Sequence, residues 1–147
     1  MNVFSKSIKW VMLISGALTC TMIYAAIAPE AALLNTFGES ISGPLAEIVV
    51  RNWGALITLM GAMLIYGALQ PLHRNFVLVM AIVSKIIFVT LVLSLGSQYL
   101  GTAGLAVAFD TVVVLYFIAY LAISRRAAGA DGQPRSAAST KAATRSS

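Results

Sequence analysis

The chain has 147 residues, 59% of them hydrophobic and 10% charged, with a mean hydropathy of +0.88. Soluble domains are nearer half apolar and about a quarter charged, so a compact body of this composition could not cover its surface with polar groups. A soluble globular enzyme is excluded. Ten Lys and Arg against five Asp and Glu give a net charge of +5, unevenly placed. Lys6, Lys9, Arg125, Arg126, Arg135, Lys141 and Arg145 at the two ends face Asp131 alone. The interior sets Arg51, Arg74 and Lys85 against Glu30, Glu39, Glu47 and Asp110. Basic residues that flank apolar runs act as topology determinants, so no nucleic-acid partner is expected.

A bilayer core of about 30 Å needs about 20 apolar residues in a helix, and backbone groups in lipid must satisfy one another internally. Four stretches qualify, at about 8–28, 47–69, 76–97 and 103–123. None alternates as a barrel strand would. The expected fold class is therefore all-α: an integral membrane four-helix bundle in a domain spanning 1–124.

In the first stretch, Lys6, Lys9, the apolar run and Ala26-Ile27-Ala28 resemble a cleavable leader. The run is about 18 residues, long for such a leader, and Pro29 would hinder cleavage, so it is read as a retained span. Ser15, Gly16, Thr19 and Cys20 give it a small face. Between the first two spans, Pro29 suits a first helical turn, and Leu33, Leu34 and Phe37 form a short apolar face before Gly38; a short interfacial helix is predicted. Gly43-Pro44 reopens the chain into the second span. There Glu47 and Arg51 share a face at i, i+4, which continues through Gly54, Ala55, Thr58, Gly61 and Ala62. Small residues permit close helix approach in lipid, so this face should look inward, with Arg51 and Asn52 near the outer mouth. Trp53 is read as an interfacial anchor.

Gln70-Pro71-Leu72-His73-Arg74-Asn75 is a tight hairpin, and Gly96 to Thr102 another short turn. Gly104 and Ala108 suggest a small face at the start of the fourth span. Residues 125–147 are read as a disordered, basic, cytoplasmic tail, because from about Ala127 no large apolar side chain remains to offset ordering entropy. Lysine and arginine at both ends and at the middle hairpin place both termini in the cytoplasm.

A lone Cys20 allows no intramolecular disulfide, and a lone His73 cannot supply a two-histidine haem site. No metal and no cofactor is expected. The informative residues are charges inside the spans, which are costly in lipid and turn toward the bundle interior. Lys85 lies near the middle of the third span and Asp110 about 12 Å into the fourth at 1.5 Å per residue. The short turn makes these spans antiparallel neighbours, and the lysine stem can snorkel toward the carboxylate. A buried Lys85–Asp110 pair is predicted. With Glu47, Arg51 and Asn52 it forms the candidate binding residues, an intramembrane polar cluster. No nucleophile–base pair or phosphate-binding glycine loop is present, so no catalytic residue is assigned.

Arg51-Asn52-Trp53-Gly54 at the head of the second span, its run Gly61-Ala62-Met63-Leu64-Ile65-Tyr66-Gly67, Ser84-Lys85 in the third and Asp110 in the fourth are similar in layout to the small bacterial four-helix membrane proteins of the DoxX-like and BphX-like group. The resemblance covers about Ser5 to Ile123, and the first span lacks a diagnostic DoxX signature. It implies a bacterial inner-membrane bundle that partners a larger assembly or handles a lipid-like molecule such as a quinone. The reading placed first is a non-catalytic accessory or scaffold component, with membrane-protein partners or a homo-oligomer as its company in the bilayer. The alternative is a binder of a lipid, quinone or other amphipathic molecule. A proton-coupled transporter ranks third, since the spans show no inverted repeat.

Overall fold

The computed structural model describes the backbone of residues 3–131 and the side chains of 6–126. Six α-helices follow in order: α1 (Val3–Cys20), α2 (Ile23–Ile27), α3 (Pro29–Phe37), α4 (Pro44–Leu69), α5 (Arg74–Leu95) and α6 (Leu100–Asp131), with a 3₁₀ turn at Ser97–Tyr99. Four segments are long and apolar enough to cross a bilayer: Lys6–Ile27, Pro44–Leu69, Arg74–Leu95 and Ser97–Arg126. The protein is an all-α four-helix membrane bundle.

The first span is not one continuous helix. Around Thr21 and Met22 the backbone bonds tighten to i−3 partners, Thr21 N to Leu18 O and Met22 N to Thr19 O, both 3.2 Å. The hydroxyls of Thr19 and Thr21 donate to the carbonyls of Ser15 (2.7 Å) and Leu18 (2.6 Å). Such back-bonding competes with the helical ladder and bends it. The short helix before Gly38 forms as predicted, with Pro29 in its first turn and Gly38 closing it at φ 79°, a left-handed conformation that suits glycine.

Helices α1 and α4 pack most intimately. A Cβ on Gly61 would lie 2.7 Å from Cys20 Sγ and 2.8 Å from both Cys20 N and Gly16 O; one on Gly54 would lie 2.7 Å from Ala26 N. The expected inward face is therefore present at Gly54 and Gly61, while Ala62 is exposed. The buried stripe of α4 begins at Val50 and leaves Glu47 and Arg51 outside it. At the start of α6 the expectation fails. A Cβ on Gly104 would meet nothing within 4 Å, and Ala108 is exposed; Ala103 and Val107 are buried instead. The helix is turned by one residue, about 100°, from the face that composition suggested.

The main core lies at the end of the bundle that carries Lys6, Lys9, Arg74, Arg125 and Arg126, here the basic end. It joins Ile8 and Met12 of α1, Leu64 and Ala68 of α4, Val77, Leu78 and Ala81 of α5, and Val113, Phe117 and Leu121 of α6. Two smaller clusters, Ala25–Ala32–Val50 and Val92–Ala103–Val107, lie toward α3. Beyond Arg126, α6 continues to Asp131, so the helix outlasts the point at which composition predicted the tail to begin. Alanine and arginine are good helix formers, and extending an anchored helix needs no new nucleus. The remainder of the predicted tail, from 132 onward, lies outside the described residues.

Candidate functional site

The buried stripe of α5 runs Arg74, Leu78, Ala81, Lys85 and Val92, at helical spacing. On α6 the buried residues Ala103, Val107, Val114, Phe117 and Leu121 keep the same rhythm, and Asp110 falls within it. Two charges on facing apolar stripes of antiparallel neighbours have one low-energy arrangement: each must satisfy the other. Lys85 Nζ donates to Asp110 Oδ1, and the side chains are 9% and 16% exposed. In so dry a setting the mutual attraction offsets much of a desolvation cost that neither charge could bear alone.

The pair is not sealed in the core. It forms part of the wall of a cavity of about 450 Å³ to which every helical span and α3 contribute. Leu18, Thr19 and Met22 come from the bent first span, Thr36 from α3, Trp53, Ile57, Met60 and Leu64 from α4, and Ser84 and Phe88 from α5. Leu105, Ala106 and Phe109 of α6 complete it. The wall is mainly apolar, with the ion pair and a few hydroxyls as its polar points. Among the described residues, the hydroxyls of Ser84 and Thr36 make no hydrogen bond within the chain.

The other three sequence-predicted residues lie elsewhere. Arg51 Nη1 donates to the carbonyls of Ala26 (2.6 Å) and Ile27 (3.1 Å), the open end of α2. Its Nε and Nη2 reach Glu47 Oε1 at 3.0 and 2.5 Å. Arg51 is 44% and Glu47 53% exposed in the side chain, and both border a second hollow of about 540 Å³ beneath α3. Asn52 is exposed on α4. The predicted cluster thus separates into an internal pair, a clamp at the edge and an outward amide. Arg51, whose i, i+4 spacing with Glu47 suggested an inward face, instead neutralises the carbonyl dipole of a helix end.

Arg74 does the same at the other end of the bundle. Read from sequence as a loop cation, it is buried, and its Nε and Nη2 donate to Gly67 O (3.3 Å) and Ala68 O (3.1 Å), two of the last carbonyls of α4. Trp53, expected at the lipid interface, is half-buried, 6.2 Å from the ring of Phe37 and in the wall of the Lys85 cavity. The described residues contain no group of three or more His, Cys, Asp or Glu that could hold a metal ion.

Comparison with protein-family models, with curated proteins and with solved structures finds no match. The reading of function therefore rests on the geometry.

Proposed function

We propose that this multi-pass membrane protein binds a lipid, quinone or other amphipathic small molecule in the cavity beside Lys85 and Asp110, in a bacterial inner membrane with both termini cytoplasmic. The observation that carries the reading is the cavity itself: an apolar chamber within a four-span bundle, with one buried ion pair in its wall. Binding chambers for small molecules combine a mostly apolar lining with a few placed polar groups, in volumes of about 300–1,000 Å³. The scaffold role placed first by sequence drew on the absence of a recognisable reaction site in a small, well-threaded bundle. With a chamber present, the order of the two readings is exchanged, and the likeness in layout to the DoxX-like group is compatible with either.

Native mass spectrometry of the protein released directly from its membranes tests this. A bound small molecule is expected, and it should be lost in the double variant Lys85→Met/Asp110→Leu. Protein that emerges empty from gentle release would overturn the proposal. One observation favours an architectural second reading: the two charges satisfy each other without a third party. On that reading the double variant keeps its stability and any bound molecule alike, and stoichiometric partner proteins accompany the bundle through mild-detergent purification.

A further inference from the structure

We infer that the cavity is filled sideways from the bilayer, through a portal between α1 and α6, by a molecule whose head is uncharged and both donates and accepts hydrogen bonds. The inference rests on the binding reading above and adds the route and the class of ligand.

The route follows from where the bundle is closed. At the basic end Ile8 and Met12 pack with Phe117 and Leu121, and Ser7 Oγ lies 2.5 Å from Tyr116 OH, fastening α1 to α6. At the other end α3 crosses to the 3₁₀ turn that leads into α6: Phe37 packs edge-on against Tyr99 at 5.7 Å, and Tyr99 OH donates to Glu39 Oε2 at 3.0 Å. Between these closures the chain at Thr21–Met22 breaks, and α2 turns onto α4, where Ala25 and Ala26 sit against Gly54. The wall residues on α4 and α5 are buried or half-buried, whereas Leu18 (50%), Leu105 (84%) and Ala106 are exposed. The opening is therefore on the α1–α6 side. At the depth of Lys85 that side faces acyl chains, not water.

The class of head follows from the pair. Lys85 carries three N–H donors and spends one on Asp110 Oδ1, while the carboxylate keeps acceptor capacity on its other oxygen. An anionic head would be drawn to Lys85 and repelled by Asp110 a few ångströms away; a cationic head meets the reverse. Either must break a buried pair to enter. A hydroxyl accepts from Lys85 and donates to Asp110 with the pair intact, and Ser84 offers a further hydroxyl in the same wall. Long-chain alcohols, acylglycerols and tailed phenols share this head.

Photoreactive analogues of hexadecanol, hexadecyl sulfate and hexadecyltrimethylammonium, presented to the full chain in phosphatidylcholine nanodiscs, test both parts. The alcohol should label the segments around Met60 and Ser84, compete with untagged hexadecanol, and exceed each charged probe by roughly fivefold or more, a lower bound for a hydrogen bond to an ionised partner. Ala106→Trp and, separately, Leu18→Trp should each lower that labelling by a similar factor while the thermal midpoint holds. Equal labelling by a charged probe overturns the class of head but leaves binding intact. Undiminished labelling in both tryptophan variants, each folded, overturns the portal. No competable labelling of these segments by any of the three probes removes the binding reading and this inference together.

Discussion

Helices α1 and α4 meet backbone to backbone, while α1 and α6 touch near the basic end and then part around a chamber. In lipid no hydrophobic drive pulls helices together, so association depends on dispersion contacts and hydrogen bonds gathered at short range. The seam of α4 against α1 and α2 gathers them through Gly16, Gly54 and Gly61, at each of which a methyl group would collide with the facing helix. The α6 side has glycine too, at Gly104, but there the space is open. The same residue type thus makes a seam in one place and nothing in the other. What differs is whether a partner backbone stands opposite.

The comparison is broken most severely by removing one charge from the open side. Asp110→Ala leaves the Lys85 ammonium uncompensated and should lower stability by about 3–5 kcal/mol, measured by steric trapping in bicelles. Lys85→Met/Asp110→Leu should restore most of it; an Asp110→Ala protein as stable as the parent would mean that water hydrates the ammonium within the chamber. Next comes the tight seam. Gly61→Ala drives a methyl into Cys20 and the Gly16 carbonyl, so a loss of about 1–3 kcal/mol is expected in the same assay. A neutral result would show that the two helices can slide apart without penalty.

Smaller effects belong to the edge. Arg51→Ala frees the last carbonyls of α2 and should cost about 1 kcal/mol, with faster amide hydrogen exchange confined to 23–28. Glu47→Ala removes only a half-exposed pair and should cost less than about 1 kcal/mol. The smallest change has the opposite sign: Gly104→Ala should stabilise α6 by about 0.5–1 kcal/mol, since nothing opposes the methyl and the unfolded chain loses freedom. If it destabilised as Gly61→Ala does, the α6 side would be as tightly packed as the seam.

Much of the architecture was legible beforehand. Apolar run length marked the spans, Pro29 with Gly38 bracketed α3, and depth counted from the 96–102 turn put Lys85 only a few residues deeper than Asp110, within reach of its stem. Other features were hidden for identifiable reasons. The break after Cys20 arises from threonine hydroxyls that bond backward, and threonine is equally at home in an unbroken span. Arg51 and Arg74 were legible as charges but not as caps, because a carbonyl acceptor leaves no mark on the sequence. That Trp53 lies beside Phe37 and in the wall of the cavity is likewise unmarked in the sequence, because a long-range ring contact has no local pattern.

Sequence alone determined that this chain crosses a bilayer four times, because the free energy of placing each side chain in lipid accumulates residue by residue along a run. Tertiary structure decided which faces turned inward, which of the five polar candidates met, and that a chamber opens beside the pair. Those outcomes depend on rotations of about 100° per residue and on the tilt of one helix against another. Small residues on α6 did not reveal that no backbone lies opposite them; that is a property of the assembled bundle.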